Sequence, residues 1–137
     1  MTIDRLPDWK PRLLAFIAET APRPLVYGQH DCALFAAGAV QAMCGVDLAA
    51  AWRGHYATRL GGIRALRRAG FRDHIDVAAR QFEAVAVAQA RVGDLAVVAG
   101  DDGPALGLVQ GPMIYVLRPD GGLGLVPLAV AEKVFRV

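Results

Sequence analysis

The sequence predicts an α+β domain in which N-terminal helices, one of them buried centrally, pack on a C-terminal antiparallel sheet. Three observations predict it. Up to about residue 81, apolar side chains recur at helical spacing between capping residues and prolines. From residue 83 onward the chain breaks into short β-rich runs bounded by Gly, Pro or Asp. The 137 residues are 55% hydrophobic but only 7% aromatic, which suits one domain, 1–137, with a real core and no linker or repeat.

Taken in order, Asp8 reads as the cap of a first helix that runs to about Thr20. Pro11 falls in its first turn, where a missing N–H costs little. Leu13, Leu14, Phe16 and Ile17 give this helix one apolar side, and APRPL at 21–25 ends it. Asp31 then caps CALFAAGAVQAM, which runs to Met43 before Gly45 stops it. This second helix is apolar nearly all round, as expected of one buried centrally. Its Ala36, Ala37, Gly38 and Ala39 let neighbours approach closely. A third helix over about 57–69 directs Leu60, Ile63 and Leu66 inward and Arg59, Arg64, Arg67 and Arg68 outward, with Gly70 just past its end. A short helix follows near 75–81. Strands are expected at 83–88, 94–100, 105–111, 113–117, 122–128 and 133–137, with turns at DDGP (101–104) and PDGG (119–122).

Composition excludes several function classes. A net charge of +2 is too small to imply a polyanion partner. The one charge-rich region holds arginines 53, 59, 64, 67, 68 and 72, and no aromatic residues interleave with them as stacking platforms. Nucleic acid is therefore not expected, and docking onto an acidic partner protein suits the arginines better. There is no H-x-x-x-H, no C-x-x-C and no acidic cluster with ligand spacing, so neither a metal nor a cofactor is expected. Asp101-Asp102-Gly103 lacks the further ligands of a calcium loop and reads as a turn. The most apolar stretch, 32–52, is broken by Gln41, Gly45 and Asp47 and falls short of the roughly 18 uninterrupted residues of a membrane span. The opening MTIDRLPDWKPR carries charges and prolines where a signal peptide has an apolar run. On one helix, Cys32 and Cys44 stand roughly 18 Å apart, far beyond the roughly 7 Å that a disulfide allows. Two free thiols point to a reducing compartment, the cytoplasm, at the time of synthesis.

The chemistry centres on LVYGQHDCALF. A thiolate is the reactive form of cysteine, and a helix N-terminus offers it partial positive charge and unpaired N–H groups. The same N–H groups can form an oxyanion hole. Cys32 is thus placed for a nucleophile, although cysteine also serves widely as a small buried hydrophobe. Nucleophilic use requires a base within hydrogen-bond reach. His30, two residues earlier on the turn, and His55, in the loop after the central helix, are the candidate bases, each with a plain alternative as a solvated histidine. His74, at the start of the short helix, reads as a capping or solvated residue. Asp31 has a capping task worth about 1 kcal/mol before any catalytic one. Trp52 and Tyr56 are expected to wedge against the core.

Tyr27-Gly28-x-x-Asp31-Cys32 before an apolar helix resembles the W-G-x-x-D-C opening of papain-like, NlpC-type cell-wall cysteine peptidases. Arg91-Val92-Gly93-Asp94-Leu95, followed by Ala105-Leu106-Gly107-Leu108-Val109-Gln110-Gly111, is similar to their P-G-D-L and H-V-G-I-Y-x-G strand pair. The nearer resemblance is to a small family from phages, prophages and gene-transfer-agent-like clusters. It shares the G-x-x-D-C helix, Trp52-Arg53-Gly54-His55-Tyr56, G-D-L, A-L-G, and the ending Gly124-Leu125-Val126-Pro127-Leu128. This covers nearly the whole chain.

The resemblance implies a papain-like fold with Cys32, Asp31 and Tyr27 in the site, and it places the general base at the residue that opens the H-V-G-I-Y strand. Here that residue is Ala105, which cannot take a proton. The next polar partner would fall near Tyr115, whose phenol, with a pKa of about 10, is a poor substitute. The expectation is a phage-like tail protein of the tip or hub, acting in structure or assembly on a scaffold that has lost its base. Its partners would be other tail proteins, and its destination the particle. The alternative is an active cysteine hydrolase of peptidoglycan stem peptides, with Cys32 as nucleophile and His30 or His55 as base.

Overall fold

A computed structural model describes residues 3–137; Met1 and Thr2, the first two residues of the charged opening segment, lie outside them. Four helices precede a six-stranded sheet, and every strand pair is antiparallel. The helices are α1 (Trp9–Thr20), α2 (Cys32–Cys44), α3 (Arg59–Arg68) and α4 (His74–Gln81). The strands are β1 (Glu83–Val85), β2 (Leu95–Gly100), β3 (Gly103–Val109), β4 (Met113–Leu117), β5 (Leu123–Pro127) and β6 (Lys133–Arg136). They lie in the order β1-β6-β2-β3-β4-β5, so the C-terminal strand slots between β1 and β2.

α2 is the central element. It packs on β3 and β4 with α1 on its other side, while α4 covers β1 and β3. Its Phe35, Val40 and Met43 are fully buried against Leu95, Val97, Leu106, Leu108 and Phe135 of the sheet. The opposite sheet face is buried as well. Ala96, Val98, Val109, Ile114 and Val134 form a second cluster, closed by single-turn segments at Val87–Gln89 and Leu128–Val130. Burial on both faces explains why LAVV reads as a continuous apolar run and not as an alternation.

Local details differ from expectation where tertiary packing decides. Asp8 occupies the N-cap position of α1 but makes no side-chain cap bond. Leu14 is 67% exposed and Leu60 is 52% exposed, so neither belongs to the inward face of its helix. In α3 the buried position is Gly62, against which the Tyr56 ring lies. β3 begins at Gly103, so only Asp101 and Asp102 turn between β2 and β3. Among the described residues, no helix is long and apolar enough to cross a membrane.

Two features bear on function. Asp94, fully buried, is a hub: it faces Arg5 at 3.4 Å and Arg136 at 3.1 Å, and accepts from the N–H groups of Arg91 at 2.9 Å and Val137 at 3.1 Å. The G-D-L motif is therefore structural, since its carboxylate ties both terminal segments to the sheet. A Cβ on the preceding Gly93 would stand 2.6 Å from the Met43 sulfur, so that position accepts no side chain. The second feature is a split in the sheet. β2 and β3 pair along six positions, but β3 and β4 share only Leu108↔Tyr115 and Val109↔Ile114. The paired ladder between the two strands ends there.

Candidate functional site

The approach to α2 is a tight turn closed by an antiparallel bridge between Val26 and His30. Gly28 sits within it at a φ of 85°, and a Cβ there would lie 1.8 Å from the Tyr56 carbonyl oxygen. The turn can reach this position only with glycine. Its carbonyl accepts the Gly54 N–H at 2.8 Å, so the 52–56 loop clamps the turn from outside.

Asp31 locks the assembly. It is 3% exposed, and its carboxylate accepts the N–H groups of Leu34 and Gly28, each at 3.0 Å, and the Tyr56 hydroxyl in a short hydrogen bond. Burial and this bond push the Tyr56 phenol far above its usual range. Arg53 pairs with Asp47 at 2.7 Å and reaches the Leu34 carbonyl at 3.4 Å, while Trp52 meets Phe71 edge-on at 5.8 Å. Four residues of the Trp-Arg-Gly-His-Tyr segment thus hold the turn and α2 together. His55, the fifth, is exposed.

Cys32, the first residue of α2, is half-buried and free, as is the buried Cys44. It opens on a cleft of about 770 Å³. Burial pushes the thiol above its ordinary range, the Asp31 charge adds to this, and its own backbone N–H opposes them. Tyr27, beside it in the lining, is raised by burial and by the nearby sulfur. Burial and the Asp31 charge thus work against the thiolate that a helix N-terminus favours.

Neither sequence-nominated base stands beside it in the cleft wall. His30 points into the core: it is 4% exposed, lies edge-on to Phe35 at 6.2 Å, and is lowered in pKa by burial and by Arg23. It is thus not the solvated turn residue that its position suggested. Ala105, where the resemblance expects the base, does line the cleft, whereas Tyr115 packs toward the helix side of the sheet.

His74 is the histidine that the structure brings into the lining shared with Cys32. The capping task expected of it belongs to Asp73, which accepts the Asp76 N–H at 2.8 Å. Burial lowers the His74 pKa, with Asp73 and Asp31 opposing. Its Nε2 is buried without a hydrogen-bond partner, so through that nitrogen it does not engage the thiol. The sequence signal was faint: a histidine directly after a capping aspartate, on the first turn of an eight-residue helix. Arg59, Arg67 and Arg72 stand at the cleft margin, and Pro104, Val116 and Val126 extend its wall into the split between β3 and β4. Among the described residues, no group of three or more His, Cys, Asp or Glu could hold a metal ion.

The chain belongs to the family described as "Domain of unknown function (DUF6950)", which matches residues 4–137. The match takes in the turn, α2, the Trp52–Tyr56 clamp and the Asp94 hub, so the whole apparatus described above falls within the family's span. None of the curated proteins matches the chain in sequence.

Proposed function

We propose that this protein is a structural or assembly subunit of a phage-like tail, at its tip or hub, built on an NlpC-type, papain-like scaffold that no longer cuts peptides. The observation that carries the non-catalytic part is the setting of Cys32. Its thiol is pushed up, not down, and Ala105, which the resemblance aligns with the base, carries no proton acceptor and packs with Val98 on the sheet face away from α2. Cysteine catalysis needs the reverse, a lowered thiol paired with a proton acceptor. Asp31, the residue beside Cys32, is committed to two backbone N–H groups and Tyr56. Such a scaffold acts through its surface and cleft. The tail assignment is supported by the shared motifs at 28–32, 52–56 and 124–128.

A second reading has one observation in its favour: His74 lines the same cleft with a buried, unengaged Nε2. In that reading His74 takes the Cys32 proton, the sulfur attacks a stem-peptide amide carbonyl, and the α2 N-terminus holds the oxyanion.

The test is the rate of Cys32 alkylation by iodoacetamide against pH, in a Cys44→Ser background. The assembly reading expects a midpoint above the usual cysteine value of about 8.5, unchanged by His74→Ala. A midpoint below about 7 that rises in His74→Ala would replace that reading with the hydrolase.

A further inference from the structure

We propose that the outward face of α3, carrying Leu60, Arg64, Arg67 and Arg68, docks an acidic segment of a partner protein. This goes beyond the reading above and holds whether or not Cys32 is catalytic. Leu60, Arg64 and Arg68 are absent from the cleft lining, and Arg67 borders it.

At about 100° per residue, these four side chains fall within about 100° of arc on one face of the helix. Ile63 and Leu66 turn toward the cleft instead, and Gly62 lies against the Tyr56 ring. α1 packs on α2, α2 on β3 and β4, and α4 on β1 and β3, but α3 makes no comparable contact with another helix or strand. Its outward face is left open: the three arginines are exposed, and so is half of Leu60.

Residues 48–72 hold six arginines and neither an acid nor a lysine. Arg53 is paired with Asp47, but Arg64, Arg67 and Arg68 enter no ion pair among the described residues. They stand at i,i+3 and i,i+4 to one another, where like charges weaken a helix. α4 has the self-sufficient arrangement, with Arg80 meeting Asp76, four residues earlier, at 3.0 Å. No carboxylate of the described residues pairs with the outward face of α3, so one that complements it comes from another molecule. The guanidinium fork takes a carboxylate through two parallel N–H bonds, which a lysine does not. Leu60, one turn before Arg64, supplies apolar contact of the kind that protein interfaces set among their arginines.

The surroundings select a compact acidic segment over a long polyanion. Asp102 lies at the Arg59 end, where its carbonyl accepts from Arg59, and Asp101 adjoins it. Asp73 shares the cleft lining with Arg67 and Arg72. With these acids at its margins, and a net charge of only +2 on the chain, α3 is an island of positive charge and not a track. A duplex or an anionic membrane laid across it would run onto the aspartates, whereas a short segment fits between them.

The experiment selects a displayed library of random dodecapeptides on the full chain and measures the enriched peptides by fluorescence anisotropy at about 150 mM salt. Enriched sequences should carry Asp or Glu beside a large apolar residue. Arg64→Gln with Arg68→Gln should weaken them about tenfold, and Arg59→Gln with Arg72→Gln less than about twofold. All four positions are exposed, and circular dichroism checks that each variant keeps its fold. Leu60→Ser should also weaken binding severalfold. The proposal is overturned if no sequences enrich, if those that do are basic or uncharged, or if the outward pair costs no more than the cleft-side pair. It is also overturned if short duplex DNA, or vesicles rich in phosphatidylserine, bind α3 more tightly than any peptide at the same salt. The thiol titration judges Cys32 separately, and either of its results leaves this face as it stands.

Discussion

Asp31 shows how one side chain can be read correctly in kind and underestimated in degree. Its capping of α2 follows from its position before an apolar helix; the two further donors it accepts arrive from Gly28 and from Tyr56, twenty-five residues away. Asp31→Ala should cost about 3 kcal/mol, combining a lost cap with an orphaned N–H and phenol, and Tyr56→Phe about 1 kcal/mol. Urea unfolding of the two variants gives both numbers. The histidines were less legible, because burial of a turn residue depends on what folds over it. His30 and His74 both have folded pKa values lowered chiefly by burial. The unfolded chain therefore binds more protons than the folded one just below pH 6.5, so stability falls as pH drops through that range. The denaturation midpoint measured from pH 7.5 to 5 should decline, and His30→Leu should make the decline shallower. Unchanged slopes would mean these imidazoles protonate freely in the fold.

At the scale of elements, helices and strands were legible almost throughout because caps, glycines and prolines mark their ends. α2 shows this best: Asp31, the apolar run and Gly45 define it within a residue. What periodicity could not supply was the facing of amphipathic helices that touch the body on one narrow side, so Leu14 and Leu60 turn outward. The turn before α2 is the element most sensitive to change. Gly28→Ala adds a left-handed alanine and a collision with the Tyr56 carbonyl, and should cost more than about 3 kcal/mol in thermal unfolding. Gly54→Ala, with nothing within 4 Å of the added methyl, keeps only the backbone strain and should cost less.

Long-range organisation was the least legible level. Nothing local to Val92-Gly93-Asp94 says that Arg5, Arg136 and the Val137 N–H will converge on one carboxylate. Asp94→Ala leaves two guanidinium groups facing an empty buried site and should destabilise by about 3–5 kcal/mol, measured as a lower urea midpoint at an unchanged slope. His74 likewise enters the cleft only because α4 packs on β1 and β3. The short ladder between β3 and β4 left no trace in the sequence, where Pro104 reads as the end of the DDGP turn and not as part of β3.

That seam has a mechanical consequence. Six rungs join β2 to β3 and five join β4 to β5, but two join β3 to β4, so the molecule carries a perforation line through its own sheet. Under tension the β4–β5 hairpin should peel away as a unit, while the body formed by α2, β2 and β3 stays intact. Optical-trap pulling between residues 103 and 120 should register this as a small first extension before the main rupture. The chain would then yield at a compliant lip beside its cleft and hold firm everywhere else.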